Sequence, residues 1–426
     1  MLSTLKSAWK IPDLRKKIMF TLMMLLVFRL GSSIPVPGMK EEVIKEMFNG
    51  QAGGLLDFIN LMAGGAFKNF TIFALNIYPY ITASIILQLL TIAIPSLEAL
   101  SKEGETGRKK IAQYTKYATI VLALVQATGI SLGFFRQALI SESPLSVAVV
   151  IIVLTAGTAF LMWLGEQITE KGIGNGISLI IFIGIVSSAP AGLIKIYQSI
   201  KAGTASIPAA LVFLVIALAI IVGVIMIQEG QRKIPVQYAK RVVGRKVYGG
   251  QSTHIPMKVL MAGVIPVIFS TSLLQTPQLM ALFFKGGGFA SFIEKYLSVG
   301  SPVGIWIYSI LNVLLIIFFT YFYTAMQFNP IEYATNLKQN GGFIPGIRPG
   351  KPTSDYLTKV LSRITLAGGI TLAIIATLPV IVESIVKLNI HFGGTAILIV
   401  VGVVIETVKQ IESQMLMRHY KGFLNK

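Results

Sequence analysis

The chain has 426 residues, 54% of them hydrophobic and only 13% charged, and its mean hydropathy is +0.73. A soluble domain carries about a quarter charged residues, and several apolar runs here reach the roughly 20 residues that cross a bilayer, so a soluble globular protein is excluded. With no cysteine, disulfides, thiolate metal sites, cysteine nucleophiles and iron–sulfur clusters are excluded too. The net charge of +19 points to anionic lipid or nucleic acid at the polar faces.

Residues 1–17 are polar and basic and lead into the first apolar run without a small-x-small cleavage site, which reads as an uncleaved first span. Ten transmembrane helices are predicted, at 18–34, 70–94, 114–135, 147–164, 177–194, 207–227, 259–280, 305–328, 360–381 and 395–408. The fold class expected is an all-α membrane bundle. Between the first two spans, Leu55, Phe58, Ile59 and Met62 recur at helical spacing, and Gly64 and Gly65 stop the pattern. At about 1.5 Å per residue that helix is too short to span.

Of the 37 Lys and Arg, 25 fall in the N-terminus, the loops on its side and the tail, and nine fall in the opposite connections. The remaining three, Arg29, Lys116 and Arg363, lie inside spans. The positive-inside bias therefore puts both termini in the cytoplasm. Two cytoplasmic loops are long and basic. One, at 228–258, carries Arg232, Lys233, Lys240, Arg241, Arg245 and Lys246; the other, at 329–359, carries Lys338, Arg348 and Lys351. Their charge fits phosphate docking as well as it fits the positive-inside bias alone.

Pro79 and Pro266 interrupt the second and seventh spans, which correspond if the chain divides into halves at 18–194 and 207–408, joined by 195–206 and followed by a tail at 409–426. Five spans per half is odd, so the halves are inverted, and broken helices at matching positions point to a central pathway.

Catalytic patterns are not found. His254, His391 and His419 stand apart without paired carboxylates, no GxxxxGK[ST] occurs, and the run at 172–176, GIGNG, is a turn between spans. No enzyme activity, cofactor or metal site is expected. From the second span onward charged residues lie only near span ends. Ion-coupled transporters place Asp, Glu or His near the midplane. This argues against an inverted-repeat secondary transporter, the alternative function, and makes any constriction apolar. Ile77 and Ile81 share a face, as do Ile181 and Ile185; Ile268 follows Pro266, and Ile399 lies early in the tenth span. By spacing alone these isoleucines fit lipid or helix neighbours as well as a pore.

Long stretches carry a resemblance: FRLGSSIPVPG (28–38), IYPYITASIILQLL (77–90), KEGETGRKKIAQYT (102–115), FLMWLGEQITEKGIGNGIS (160–178), YAKRVVGRKVYGGQSTHIPMKV (238–259), NGGFIPGIRPGKPT (340–353) and HFGGTAILIVV (391–401). From about Lys17 to the tail the chain resembles the bacterial SecY family, the central subunit of the Sec protein-conducting channel. The resemblance implies an hourglass of two inverted halves in the bacterial cell membrane, passing unfolded polypeptides and releasing signal peptides and membrane segments sideways.

It places the family's pore ring on Ile77, Ile81, Ile181, Ile185, Ile268 and Ile399, and the plug on residues 55–70, including Leu55, Phe58, Ile59, Met62, Gly64 and Gly65. Polar positions of the lateral gate fall on Thr82, Gln126 and Thr271. Gln126, in an apolar helix, is expected to find a partner across that gate. Ribosome and SecA docking falls on Arg241, Arg245, Lys246 and Arg348, and the partners implied also include SecE and SecG. The short tail after Lys409 departs from longer relatives.

Overall fold

Apolar chain that leaves water closes its backbone hydrogen bonds within helices, and this chain does so along most of its length. The computed structural model describes residues 2–50, 64–141, 143–201, 207–238, 241–243, 246–248, 252–281, 287–298, 301–386 and 394–424. Short α1 (Leu2–Trp9) precedes α2 (Pro12–Gly31), which Pro12 opens at a position where its missing N–H is no loss. After α3 (Glu41–Gly50), a run of turns at 64–77 leads into α4 (Tyr78–Ala93) and α5 (Pro95–Lys102). These two are bent by 100° where Ile94 stays extended before Pro95.

Helix α6 (Glu105–Gly129) runs into a wider turn at Ile130–Phe134, and α7 (Pro144–Lys171), α8 (Gly176–Lys201) and α9 (Ile207–Glu229) follow. Beyond a stretch of strands come α10 (Ile265–Ala281), α11 (Gly288–Leu297), α12 (Gly304–Gln327), α13 (Pro330–Gln339), α14 (Lys351–Val386) and α15 (Gly394–Leu424). Among the described residues four helices are long and apolar enough to cross a membrane alone: Glu105–Gly133, Pro144–Lys171, Gly304–Gln339 and Lys351–Pro379. The bent α4–α5 pair is a fifth candidate, and Gly176–Gly192 and Leu214–Glu229 are shorter apolar helices.

Helix α7 illustrates how sequence becomes packing. Ser143 accepts from the Ser146 N–H at its start, and Val150, Leu154, Gly157, Leu161, Leu164 and Ile168 make one buried face at three- and four-residue spacing. A Cβ at Gly157 would lie 1.9 Å from the Ile72 carbonyl oxygen, so glycine lets the turns at 64–77 press onto the helix. Beside this contact, Phe73 stacks between Phe28 and Phe160. Lys116 of α6 meets Glu166 of α7 at 2.7 Å, which accounts for one of the charges noted inside spans.

The all-α expectation misses a small sheet. Strand β1 (Gln231–Tyr238) pairs along its length with β4 (Ser252–Lys258), and its end pairs with β5 (Gly342–Phe343), all antiparallel, in the order β4-β1-β5. A second hairpin joins β2 (Arg241–Val243) to β3 (Lys246–Tyr248). Ile234 and Val236 alternate with exposed neighbours and bury against Phe328, Leu357 and Val360. This period of two, only a few residues long, is invisible to a scan for spans.

Candidate functional site

Two helices begin in the middle of the apolar bundle, and proline explains both. Pro79 stands in the first turn of α4 and Pro266 in the first turn of α10. Three residues before each proline the backbone is left-handed, at Asn76 (φ 49°) and Gly263 (φ 60°). The second and seventh spans expected from hydropathy, at 70–94 and 259–280, therefore enter as turns and become helix only near Tyr78 and Ile265. Apolar residues buried in turns read the same as helix on a hydropathy scale.

Two residues past each proline stands an isoleucine, Ile81 on α4 and Ile268 on α10. Ile181 on α8 and Ile399 on α15 each stand five residues after the glycine that begins the helix range, Gly176 and Gly394. Ile77 and Ile185 lie one turn from Ile81 and Ile181. All six are buried, at 1–7% exposure, in one apolar cluster, where α4 packs on α10 and α8 on α15. A cavity of about 20 Å³ touches Ile77, Ile81 and Ile181 beside Asn76, Tyr78 and Gln275, with room for about one water. Among the described residues the buried polar side chains are Thr, Ser, Asn and Gln, with no ionisable acid, base or histidine. An ion stripped of water in such a neck has no compensating partner.

The three polar residues that the resemblance assigns to the lateral gate, on α4, α6 and α10, do not bridge it. Thr82 donates to the Tyr78 carbonyl at 3.1 Å, and Thr271 donates to Val267 and Ile268 at 2.9 and 3.0 Å, each within its own helix. The Gln126 side-chain oxygen is buried with no partner among the described residues. Other residues make the bridge. Tyr78 donates to the Ser272 carbonyl on α10 at 2.8 Å and stands 3.4 Å from Thr276 Oγ1. Ten residues further along α4, Gln88 accepts from the Tyr323 hydroxyl of α12. On the far side of α10, Ser270 donates to Asn312 Oδ1 of α12 at 2.6 Å. Tyr78 and Gln88, a tyrosine and an amide inside one otherwise apolar-rich helix, were the available clue to these bridges.

Of the segment expected to block the constriction, Leu55, Phe58, Ile59 and Met62 lie outside the described residues. Gly64 and Gly65 are described, and both take the left-handed backbone, with φ 64° and 87°. On the sheet side, Arg241 and Lys246 stand on the β2–β3 hairpin, while Arg245 lies outside the described residues. Arg348 is exposed in a turn between Gly346 (φ 82°) and Gly350 (φ 99°), and its carbonyl accepts from Thr353 Oγ1 at 2.8 Å. The β1–β5 pairing ties the loop that carries this turn to β1, on which Arg232 and Lys233 are exposed towards the other end.

Comparison with known proteins agrees with this architecture. The SecY family model matches residues 71–408. The protein translocase subunit SecY of Halalkalibacterium halodurans is 51% identical with both chains covered in full, and that of Mycobacterium tuberculosis is 47% identical with the same coverage. Among solved structures, a protein-conducting channel superposes with a TM-score of 0.69 at 21% identity, over 94% of this chain and 93% of that one. Canine Sec61 from a ribosome–channel complex superposes with a TM-score of 0.64 at 20% identity, over 94% and 93%. The bundle, its two proline-started helices and these full-length likenesses converge: the chain belongs to the SecY family.

Proposed function

We propose that this chain is the pore-forming subunit of a protein translocation channel, moving unfolded polypeptides across the membrane and releasing apolar segments sideways into lipid. The observation that carries the reading is that six isoleucines from four helices are buried together in one larger apolar core, which among the described residues holds no charged side chain. Branched apolar side chains can part around a passing chain, yet exclude water and ions when closed. Ile77, Ile81, Ile181, Ile185, Ile268 and Ile399 are the proposed ring. The inverted-repeat transporter is set aside, since among the described residues the buried polar side chains include no carboxylate, lysine, arginine or histidine to couple an ion.

The ring sits within ten spans in two inverted halves, 18–194 and 207–408, linked by 195–206, with 1–17 and the tail at 409–426 in the cytoplasm of a bacterial cell. Residues 55–70 form the plug on the outer side; a solved SecY structure is described as having a plug domain that stabilises the closed state. The lateral gate lies between the second and third spans, α4 and α6, on one side and the seventh and eighth, α10 and α12, on the other. Arg241, Arg245, Lys246 and Arg348 dock a ribosome or the motor SecA; canine Sec61 and yeast Ssh1 are solved as ribosome-bound complexes. SecE, SecG, signal peptides and anionic lipid complete the partners.

The test is a stalled secretory polypeptide carrying a photocrosslinker in mid-chain. Crosslinks are expected at Ile81, Ile185 and Ile399. Their absence, with efficient crosslinks elsewhere on the chain, defeats the ring assignment.

A further inference from the structure

A charge inside a membrane span is expensive unless it meets a partner or faces water. Lys116 is explained by Glu166. Arg29 is explained differently: near the end of α2, one guanidinium nitrogen donates to the Gly64 carbonyl at 3.0 Å and stands 3.3 Å from the Ser187 hydroxyl of α8. Ser187 in turn donates to the Gly184 carbonyl at 2.8 Å. Three elements distant in sequence thus meet at one cation.

The receiving turn is built closely. Gly64 has φ +64°, and a Cβ there would lie 2.7 Å from Ser187 Oγ and 3.0 Å from Gly184. Only glycine takes that backbone at that distance without displacing α8. Gly184 adjoins Ile185 of the proposed ring. A simple snorkelling arginine would send its head to the interface; this one reaches a backbone carbonyl against the helix that carries the ring.

We propose that Arg29 is a positioning residue for the resting seal, pinning the turn at Gly64 and Gly65 to α8 beside Ile185. The inference rests on reading residues 55–70 as that seal. A charge-assisted bond to a carbonyl is stronger than a neutral one, and the rigid guanidinium fixes the direction of the one nitrogen that meets both acceptors, where an ammonium on a flexible stem holds them loosely.

Resting ion current through the assembled channel in planar bilayers tests it, with a deletion of residues 55–65 as reference. Arg29→Gln is expected to raise resting current about tenfold, equivalent to about 1.4 kcal/mol. Arg29→Lys should recover part of the seal, and Ser187→Ala should leak less than Arg29→Gln. Adding Arg29→Gln to the deletion should change nothing further. If the deletion leaks but Arg29→Gln stays at the wild-type level, the pin is overturned and the seal reading stands. If the deletion does not leak, the seal reading falls and the pin with it. Hydrogen exchange on the milder Ser187→Ala and Arg29→Lys variants guards against misfolding: faster exchange confined to 64–70 supports the pin, whereas unchanged exchange there, or a rise spread along α2, overturns it.

Discussion

At the scale of single residues, the packing around the turns at 64–77 depends on glycines that let chain meet helix. A Cβ at Gly31 would come within 2.1 Å of the Phe73 ring, which stacks at 6.0 Å on Phe28 and 5.9 Å on Phe160 and so has nowhere to turn. At Gly157 the obstacle is the Ile72 carbonyl. Gly157→Ala must move chain rather than a side-chain tip, and overpacking of this kind costs about 1–3 kcal/mol. Thermal unfolding of the purified channel in detergent should show a clear loss for Gly157→Ala, and a wild-type melting point would refute the close contact. The isoleucines obey the opposite logic. Ile81→Ser removes apolar volume from the proposed neck and adds a hydroxyl, so resting ion current should rise while the melting point falls little by comparison. An unchanged current would remove Ile81 from the ring.

Among elements, the telling contact is the seam where α4 meets α10 and α12. Tyr78 and Gln88 hold it at two points about 15 Å apart along α4, and between them Thr82 bonds only within its own helix. Bonds of this type in membranes average about 0.6 kcal/mol, so two of them resist opening by about 1 kcal/mol, roughly a fivefold change in the open population. Tyr78→Phe combined with Gln88→Leu and Tyr323→Phe removes both bridges without leaving Gln88 or Tyr323 with a lone partner. The triple variant should release marginally apolar segments into lipid more efficiently, measured as the integrated fraction of a series of graded test segments. No shift along that series would mean the bridges do not gate release. The seam also shows where sequence reading stops. The family resemblance placed the gate on Thr82, Gln126 and Thr271, yet a threonine in a helix satisfies itself on its own backbone, as Thr82 and Thr271 do. Long side chains reach across, those of Tyr78, Gln88 and Tyr323, and a scan for apolar runs long enough to span does not single them out.

Over the whole molecule, the sequence disclosed what is periodic over twenty residues and concealed what is local or distant. Helices α6, α7, α12 and α14 lie where continuous apolar runs predicted spans. The late starts of α4 and α10 were hidden, because Pro79 and Pro266 marked a break but not which side of it would be helix. Hidden too was the meeting of two basic loops 100 residues apart, which pair through Gln237 with Phe343 and Tyr238 with Gly342. The two loops read from the sequence as separate docking candidates are thus tied by one sheet, with Arg232 and Lys233 exposed on β1 and Arg348 exposed in the turn after β5. That union makes a quantitative prediction. If the surface binds ribosomal RNA phosphates, each basic contact contributes about 0.7–0.9 to the slope of log affinity against log salt. Arg348→Ala should then lower the slope by about one contact and weaken ribosome binding at moderate salt. The triple variant with Arg232→Ala and Lys233→Ala should lower it by up to about three contacts, since the residues act together on one ligand. If Arg348→Ala reduces the slope while Arg232→Ala and Lys233→Ala do not, docking belongs to the turn alone and the sheet only supports it. If none of the three changes the slope, the positive charge of these loops reflects membrane orientation, and the docking surface lies elsewhere on the cytoplasmic face.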